Sequence, residues 1–327
     1  MNAEGARREK NPVVRLRLGL APAVLLLAAL LLSGCARAAG FRQVSLHARL
    51  EAGPPGGEDA PAQGKGQSPP LRVAIANVYS PKANVKNYQP LVDYLGQKLG
   101  RPAEMVQRST YAEVNDLVRS GYVDLAFVCT YAYVEGQKQF GMEAIAAPRV
   151  NGQDVYYSYI IVPGDSPVRS LADLRGRTFA FTDPLSNTGR LVPETLLMRL
   201  GESPDSFFKK YVFTYSHDRS IQAVADHLID AAAVDSLVYN FAVKDDPRLK
   251  AATHVIDRSE PFGTPPAVVN PRLDPAEKQR LTEVLLEMSQ DPQGRKILTP
   301  LMIDAFVAPD DHAYDSIRRM AQKVRLP

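Results

Sequence analysis

The sequence VYYSYIIVPGDSP, residues 155–167, divides the chain into two structural units. Seven of its first eight residues are β-branched or aromatic, which is typical of an extended strand. The Pro-Gly-Asp-Ser-Pro run that follows contains residues that end strands and form turns. We therefore expect an extended crossover here, which leaves one unit and enters another.

On the N-terminal side of this crossover, short apolar runs alternate with stretches of helical periodicity. The strand-like runs are LRVAIA (71–76), AEMVQ (103–107), VDLAFV (123–128) and EAIAAP (143–148). Alternation of this kind predicts a mostly parallel β-sheet covered by helices.

The same alternation resumes after the crossover. Its strand-like runs are RTFAFT (177–182), YVFTY (211–215), AAAV (231–234) and THVIDRS (253–259). The segment PPAVV (265–269) predicts a strand that returns to the first unit, and we expect the rest of the chain to be helical, with no further strand.

These patterns predict an α/β fold made of two α/β lobes joined by two extended crossover segments. We expect lobe 1 to comprise residues 71–162 and lobe 2 residues 163–264. Residues 265–327 would supply the return strand and helices that pack on lobe 1.

The N-terminus has the layout of an export signal. Five Lys or Arg residues precede or border an apolar run, residues 18–32, which ends in Leu-Ser-Gly-Cys at Cys35. The run is about fifteen residues long, shorter than the roughly 20 that span a bilayer core, so we expect it to be removed. Leu-Ser-Gly before Cys35 resembles the bacterial lipobox. Residues 1–34 are therefore predicted to be a lipoprotein signal peptide, with Cys35 the lipidated N-terminus.

The segment after the predicted lipidation site has the composition of a linker. Residues 51–70, EAGPPGGEDAPAQGKGQSPP, contain almost no large apolar side chain and cannot bury enough surface to offset the entropy of ordering. We expect residues 35–70 to be a flexible linker that attaches the folded part to the membrane through the lipid. The protein would then be an extracytoplasmic lipoprotein, in the periplasm or at the cell surface.

Charge and cysteine content exclude several classes of function. The whole chain has a net charge of +3, but the leader carries five Lys or Arg and two Glu, so the mature chain is neutral. Its charged residues are interspersed, and we expect no nucleic-acid partner. With Cys35 lipidated, Cys129 is the one cysteine left, which excludes an internal disulfide. No H-x-x-x-H or C-x-x-C spacing is present, so we expect neither metal nor cofactor.

The stretch FTDPLSNTGRLVP, residues 181–193, is the strongest candidate for a ligand site. A strand ends there and a helix begins with small polar residues. Backbone N–H groups at a helix start carry partial positive charge, and hydroxyl and amide donors beside them favour an oxyanion. Ser, Asn and Thr also cap helices, so on composition alone simple capping is the alternative.

Three ordered motifs resemble those of the phosphate, phosphite and phosphonate binding proteins of ABC transporters. DPLSNTGRLVP (183–193) resembles the family signature DPxSxSGxLxP. VDLAFVCTYAY (123–133) is similar to the strand and ligand loop of the first lobe. YSHD (215–218), followed by IDAAAVD (229–235), is similar to a histidine-bearing helix start and the next strand.

The resemblance implies the type II periplasmic binding protein fold and a role in import. The protein would capture phosphate, phosphite or a small phosphonate between its lobes by hinge closure. It would then deliver the ligand to the permease and ATPase subunits of an ABC transporter.

The resemblance also implies a set of ligand contacts from both lobes. Ser186, Asn187 and Thr188 would donate to the anion, and His217 would contact a further oxygen. Thr130 and Tyr131 would reach in from lobe 1, and Tyr79 and Ser80 match more weakly. Asp235 is a possible partner for the ammonium group of an amino-bearing ligand.

One departure from the family pattern concerns the ligand. Members that bind aminoalkyl phosphonates are expected to hold the ammonium group with a carboxylate pair. At the two candidate positions this sequence has Leu237 and Pro265. This favours phosphate, phosphite, methylphosphonate or another compact oxyanion over an amino compound.

Two other functions use the same residues. Ser186, His217 and Asp235 would supply a nucleophile, a base and an orienting group for an envelope hydrolase, but Ser186 lacks the G-x-S-x-G arrangement that exposes such a serine. We therefore do not expect an enzyme. A binding protein that senses the ligand and signals to a membrane partner, without transport, would have the same fold.

The predicted lipidation can be tested on the native protein. Mass spectrometry should find Cys35 as the mature N-terminus, carrying an acyl mass, and a Cys35→Ala variant should carry none. A mature N-terminus at another residue, or an unmodified Cys35, would contradict the prediction.

Overall fold

The computed structural model describes residues 69–324. The predicted signal peptide and the predicted linker, apart from its last two residues, lie outside this part of the chain. Within residues 69–324, no helix is both long and apolar enough to cross a membrane.

The described residues form thirteen strands. In chain order the strands are β1 (Leu71–Ile75), β2 (Ala103–Gln107), β3 (Leu125–Phe127), β4 (Glu143–Val150), β5 (Val155–Tyr156), β6 (Ser158–Pro163), β7 (Thr178–Phe181), β8 (Lys210–Phe213), β9 (Ala231–Asp235), β10 (Thr253–Arg258), β11 (Phe262–Gly263), β12 (Ala267–Val269) and β13 (Ile303–Val307).

Helices follow most of these strands. In chain order they are α1 (Pro81–Leu99), α2 (Tyr111–Ser120), α3 (Thr130–Phe140), α4 (Val192–Arg199), α5 (Pro204–Phe207), α6 (His217–Ala225), α7 (Ser236–Asp245), α8 (Pro247–Ala252), α9 (Pro275–Glu287), α10 (Pro292–Leu298) and α11 (Asp315–Lys323). A π-helical turn, Asn187–Leu191, leads directly into α4, and short 3₁₀ turns span Leu171–Leu174, Thr299–Leu301 and Asp311–Tyr314.

The first sheet has the strand order β13-β4-β12-β3-β1-β2. Strand β1 is parallel to β2 and β3, whereas β12 runs antiparallel to β3 and β4. Buried Val73 and Ile75 of β1 pack in one apolar cluster with Leu91 and Leu95 of α1. The alternating pattern at the start of the globular part therefore forms the predicted lobe, with its core between sheet and helices.

The second sheet has the strand order β10-β6-β9-β7-β8. Strand β7 is parallel to β8 and β9, and β6 is antiparallel to β9 and β10. Its core contains an aromatic cluster: the ring of Phe179 stacks on that of Phe208, with 4.4 Å between centroids, and Phe181 packs against both.

The two crossovers run side by side. Strand β5 pairs antiparallel with β11, so that Tyr156 lies opposite Phe262. Residues 155–167 therefore lead into the second lobe, and the segment that returns to the first lobe pairs with them. Two α/β lobes joined by two extended segments confirm the predicted fold class.

One expectation for the C-terminal region was wrong. Residues 303–307 form β13, which pairs antiparallel with β4, although this region was expected to be helical throughout. The strand is short, and it begins directly after Met302, whose φ of 58° ends the preceding 3₁₀ turn. A five-residue strand between helices has too few alternating positions to be distinguished from helical periodicity.

Tyr314 holds the C-terminal region against the crossover. The side chain is 1% exposed, its hydroxyl donates to the Thr264 carbonyl at 2.9 Å, and its ring lies 5.0 Å from that of Tyr133. The residue therefore joins the last helices, the return segment and α3.

Substitutions at Tyr314 should separate packing from hydrogen bonding. Tyr314→Phe should lower the free energy of unfolding by about 1 kcal/mol, because one hydrogen bond is lost. Tyr314→Ala should lower it by roughly 3–5 kcal/mol, because a cavity is left as well. Urea denaturation would measure both, with Tyr122→Phe at an exposed ring as the control. An unchanged midpoint for Tyr314→Ala would contradict this account.

Candidate functional site

Direct hydrogen bonds connect the two lobes at the start of α6. The His217 N–H donates to the Val78 carbonyl at 3.0 Å. One residue further on, the Asp218 carboxylate accepts from the Ser80 N–H at 2.8 Å. The N-terminal end of α6, from lobe 2, therefore lies against that of α1, from lobe 1.

Two further contacts bring other helix starts to the same interface. The Tyr111 N–H, at the start of α2, donates to Asp183 Oδ2 at 3.1 Å. The Asn187 N–H, at the start of the π turn, points at Cys129 Sγ over 3.4 Å. Helix N-termini from both lobes thus border one interior region. Backbone N–H groups at helix starts carry partial positive charge, which favours an anion there.

The imidazole of His217 is a neutral hydrogen-bond donor in this region. Its Nδ1 lies 3.1 Å from the Asp235 backbone nitrogen and 3.0 Å from Thr182 Oγ1. A backbone N–H can only donate, so Nδ1 accepts and the ring proton is on Nε2. Burial lowers the pKa of His217 to about 3, which keeps the ring neutral at physiological pH. Nε2 is buried and has no protein partner among the described residues.

Three buried hydroxyls share this unpartnered state in the described part of the chain: that of Ser216, next to His217, and those of Thr188 and Tyr111. Burial raises the pKa of Tyr111 well above its usual range, so its phenol stays protonated. We call the His217 Nε2–H, the hydroxyls of Thr188 and Tyr111 and the start of the π turn the anion cradle. Unpartnered buried donors are costly, so their presence indicates a ligand with acceptor oxygens.

Tyr156, a crossover residue that was not predicted as a ligand contact, contacts two residues that were predicted. Its hydroxyl lies 2.6 Å from Thr130 Oγ1 and accepts from Asn187 Nδ2 at 3.2 Å. The Ser186 hydroxyl accepts from the Gly189 N–H at 3.0 Å, which leaves its own proton to donate. Thr130, Ser186 and Asn187 are thus brought together, and Tyr156 positions two of them.

Gly189 allows the π turn to approach Thr182, which contacts the His217 ring. A Cβ atom at this position would lie 2.4 Å from Thr182 Oγ1 and 2.9 Å from Ser186 Oγ. Because Thr182 contacts the imidazole, any side chain at Gly189 would disturb both the turn and His217.

The remaining lobe 1 candidates take different positions. The side chain of Tyr131 packs with Leu191 and Val192 of lobe 2 and is not part of the anion cradle. The Tyr79 ring packs edge-on against Phe241, with 5.6 Å between centroids. Ser80 contributes its backbone N–H to the lobe contact, and its side chain makes no cap hydrogen bond.

Two buried carboxyl groups border the region. Asp235 Oδ1 accepts from the N–H groups of Leu237 and Val238 at 2.7 and 3.3 Å, which caps α7. Burial nevertheless raises the pKa of Asp235 to about 7. Burial also raises the pKa of Asp183, to about 6. Both groups therefore change charge within the physiological range.

Ser186, His217 and Asp235 do not form a catalytic triad. Ser186 bonds within its own turn, and the imidazole contacts Asp235 through the backbone N–H instead of the carboxylate. An activated serine requires a base in contact with its hydroxyl and a third group that orients the base. Arg190, within the π turn, is held by Glu194 at 2.8 Å. The geometry is that of a binding site with neutral donors.

Comparisons with known proteins identify the family. The family model for the phosphonate periplasmic substrate-binding protein of ABC transporters matches residues 73–314. The phosphate-import protein PhnD of Mycolicibacterium smegmatis is 30% identical over 196 residues, which are 56% of this chain and 61% of that protein. The phosphonates-binding periplasmic protein of Escherichia coli is 24% identical over 267 residues, 80% of this chain and 79% of that protein.

A solved structure shows the same fold. A binding protein component of an ABC phosphonate transporter from Pseudomonas aeruginosa aligns with a TM-score of 0.73 at 24% identity, covering 77% of this chain and 85% of that one. The fold is that of type II periplasmic binding proteins, and the family consists of extracytoplasmic transport components, not enzymes. The chain therefore belongs to the phosphonate-binding family of periplasmic ABC transporter substrate-binding proteins.

Proposed function

We propose that this protein is the solute-binding lipoprotein of an ABC importer and captures phosphate, phosphite or a small phosphonate by closure of its two lobes. The observation that carries the proposal is the anion cradle, with three buried donor groups that have no protein partner among the described residues. Relatives named for phosphate import and for phosphonate binding support the same ligand range. Lipidation at Cys35 would keep the protein at the membrane that holds the permease and ATPase.

The donor set suits a tetrahedral phosphorus oxyanion. Removing water from such an anion is expensive unless several donors replace it. The cradle offers one imidazole N–H, hydroxyls from both lobes and the N–H groups of a helix start, without a formal positive charge. Because these donors come from both lobes, bound anion would stabilise the closed arrangement over an open one.

Removal of single donors should weaken binding while the fold is retained. A hydrogen bond to a charged group contributes roughly 1.5–3 kcal/mol, so Thr188→Val and His217→Ala should each reduce the affinity about ten- to a hundredfold. Isothermal titration calorimetry with phosphate, phosphite and methylphosphonate would measure this. Thr195→Val is the matched control, since the Thr195 hydroxyl bonds the Leu191 carbonyl within its helix and not the cradle. Unchanged affinity of both site variants for every oxyanion would refute the proposal.

The charge on Asp235 should make binding pH-dependent. With a pKa near 7, this carboxyl is mostly neutral at pH 5.5 and ionised at pH 8.5, where it repels a bound anion. Wild-type affinity for methylphosphonate, divided by that of Asp235→Asn, should therefore fall several-fold between these two pH values. Because both proteins are measured with the same ligand, protonation of the ligand affects the two affinities equally and cancels from their ratio. A ratio independent of pH would contradict the assigned role of Asp235.

A further inference from the structure

A cavity of about 80 Å³ lies between the lobes. Fifteen of the sixteen residues that line it are apolar or aromatic, and the exception is Asp235. The cavity is bordered by strands and crossover segments of lobe 1 and by the start of α7 from lobe 2. Representative lining residues are Tyr79, Tyr88, Phe127, Leu237, Pro265 and Phe306.

The cavity adjoins residues that hold His217. Asp235 lines the cavity, and its backbone N–H donates to His217 Nδ1. Val78 lines the cavity as well, and its carbonyl accepts from the His217 N–H. Val128, a third lining residue, precedes Thr130 by two positions. An anion bound at His217 would therefore have the cavity beside it.

We propose that this cavity receives an uncharged, apolar substituent of the bound oxyanion, larger than a methyl group. The inference rests on the proposed function and narrows it: the ligand class is a phosphorus oxyanion with a short alkyl substituent, attached through carbon or through oxygen. An apolar cavity of this size holds water poorly and gains stability when an apolar group fills it.

An ammonium group fits the cavity less well. Its charge would face one carboxylate, Asp235, whose Oδ1 already accepts two backbone N–H groups. The phenols of Tyr79 and Tyr88 stay neutral, because burial raises their pKa values, that of Tyr88 to about 12. Leu237 and Pro265 present only apolar side-chain atoms. Transfer of a cation from water to these surroundings is costly.

A wall formed by Leu301 and Met302 limits the length of the substituent. Leu301 and Met302 line both the cavity and an open groove of about 800 Å³ on the outer side. These two residues lie at the end of a 3₁₀ turn and separate the two spaces. A short chain fits in front of this wall, whereas a long one would have to displace it.

The test uses a ligand series with matched shapes. Calorimetry on the mature protein would compare phosphate, methylphosphonate, ethylphosphonate and propylphosphonate, and then two isosteres of the last, ethyl phosphate and 2-aminoethylphosphonate. We expect affinity to rise about fourfold per added methylene from methyl to propyl, as burial of apolar surface predicts. Propylphosphonate should bind more than tenfold tighter than 2-aminoethylphosphonate. The ratio between propylphosphonate and ethyl phosphate shows which linkage the site prefers.

Two variants test whether the gain in affinity from a longer substituent depends on the cavity. Leu237→Phe should fill part of the space and lower the ratio of propylphosphonate to phosphate affinity. Leu228→Phe, at a side chain that is 72% exposed, should leave that ratio unchanged. An unaltered ratio for Leu237→Phe would overturn the assignment of the cavity.

The ligand series separates failure of the inference from failure of the proposed function. If the oxyanions bind but propylphosphonate is no tighter than methylphosphonate, the inference is wrong and the proposed function stands. If 2-aminoethylphosphonate binds tighter than propylphosphonate, the cavity is a cation site and the inference is again wrong. If no member of the series binds, both fail.

Discussion

The hydrogen bond from the Asp235 N–H to His217 Nδ1 determines the chemistry of the site. It assigns the ring proton to Nε2, and burial prevents a second proton from binding. The position of that N–H depends in turn on β9, which lies between β6 and β7 in the second sheet. The register of a buried sheet thus selects the tautomer of one imidazole. Thr182, at the end of β7, contacts the same nitrogen and holds the ring from a second side.

Neutral donors give this site a different physical character from a cluster of lysines or arginines. Charge–charge attraction acts over a Debye length and draws in any anion, whereas hydrogen bonds require acceptors at defined positions. The two buried carboxyls, Asp183 and Asp235, can donate a hydrogen bond to an anion when protonated and repel it when ionised. A site of this kind would distinguish anions by the arrangement of their oxygens and protons more than by net charge.

Local sequence patterns predicted the lobes, the crossovers and the polar stretch around Ser186, because each depends on residues that are neighbours in the chain. The support residues Tyr156 and Thr182 were not selected, since their roles arise from contacts with other elements. Tyr111 was missed for the same reason: a tyrosine at a helix start is ordinary until its hydroxyl is found buried and unpartnered. Tyr131 stays a predicted ligand contact, and the structure places it in an apolar cluster with Leu191 and Val192 of lobe 2.

The direct hydrogen bonds between the lobes affect how ligand affinity could change in evolution. The contact of the Ser80 N–H with the Asp218 carboxylate and that of the His217 N–H with the Val78 carbonyl involve no donor of the cradle. In a protein whose lobes open and close, such contacts raise the fraction of closed molecules, and the apparent dissociation constant of every ligand scales inversely with that fraction. A substitution such as one at Asp218 would shift all affinities by a common factor. Substitutions at these contacts between the lobes can therefore change the overall affinity while the order of preference among ligands stays the same.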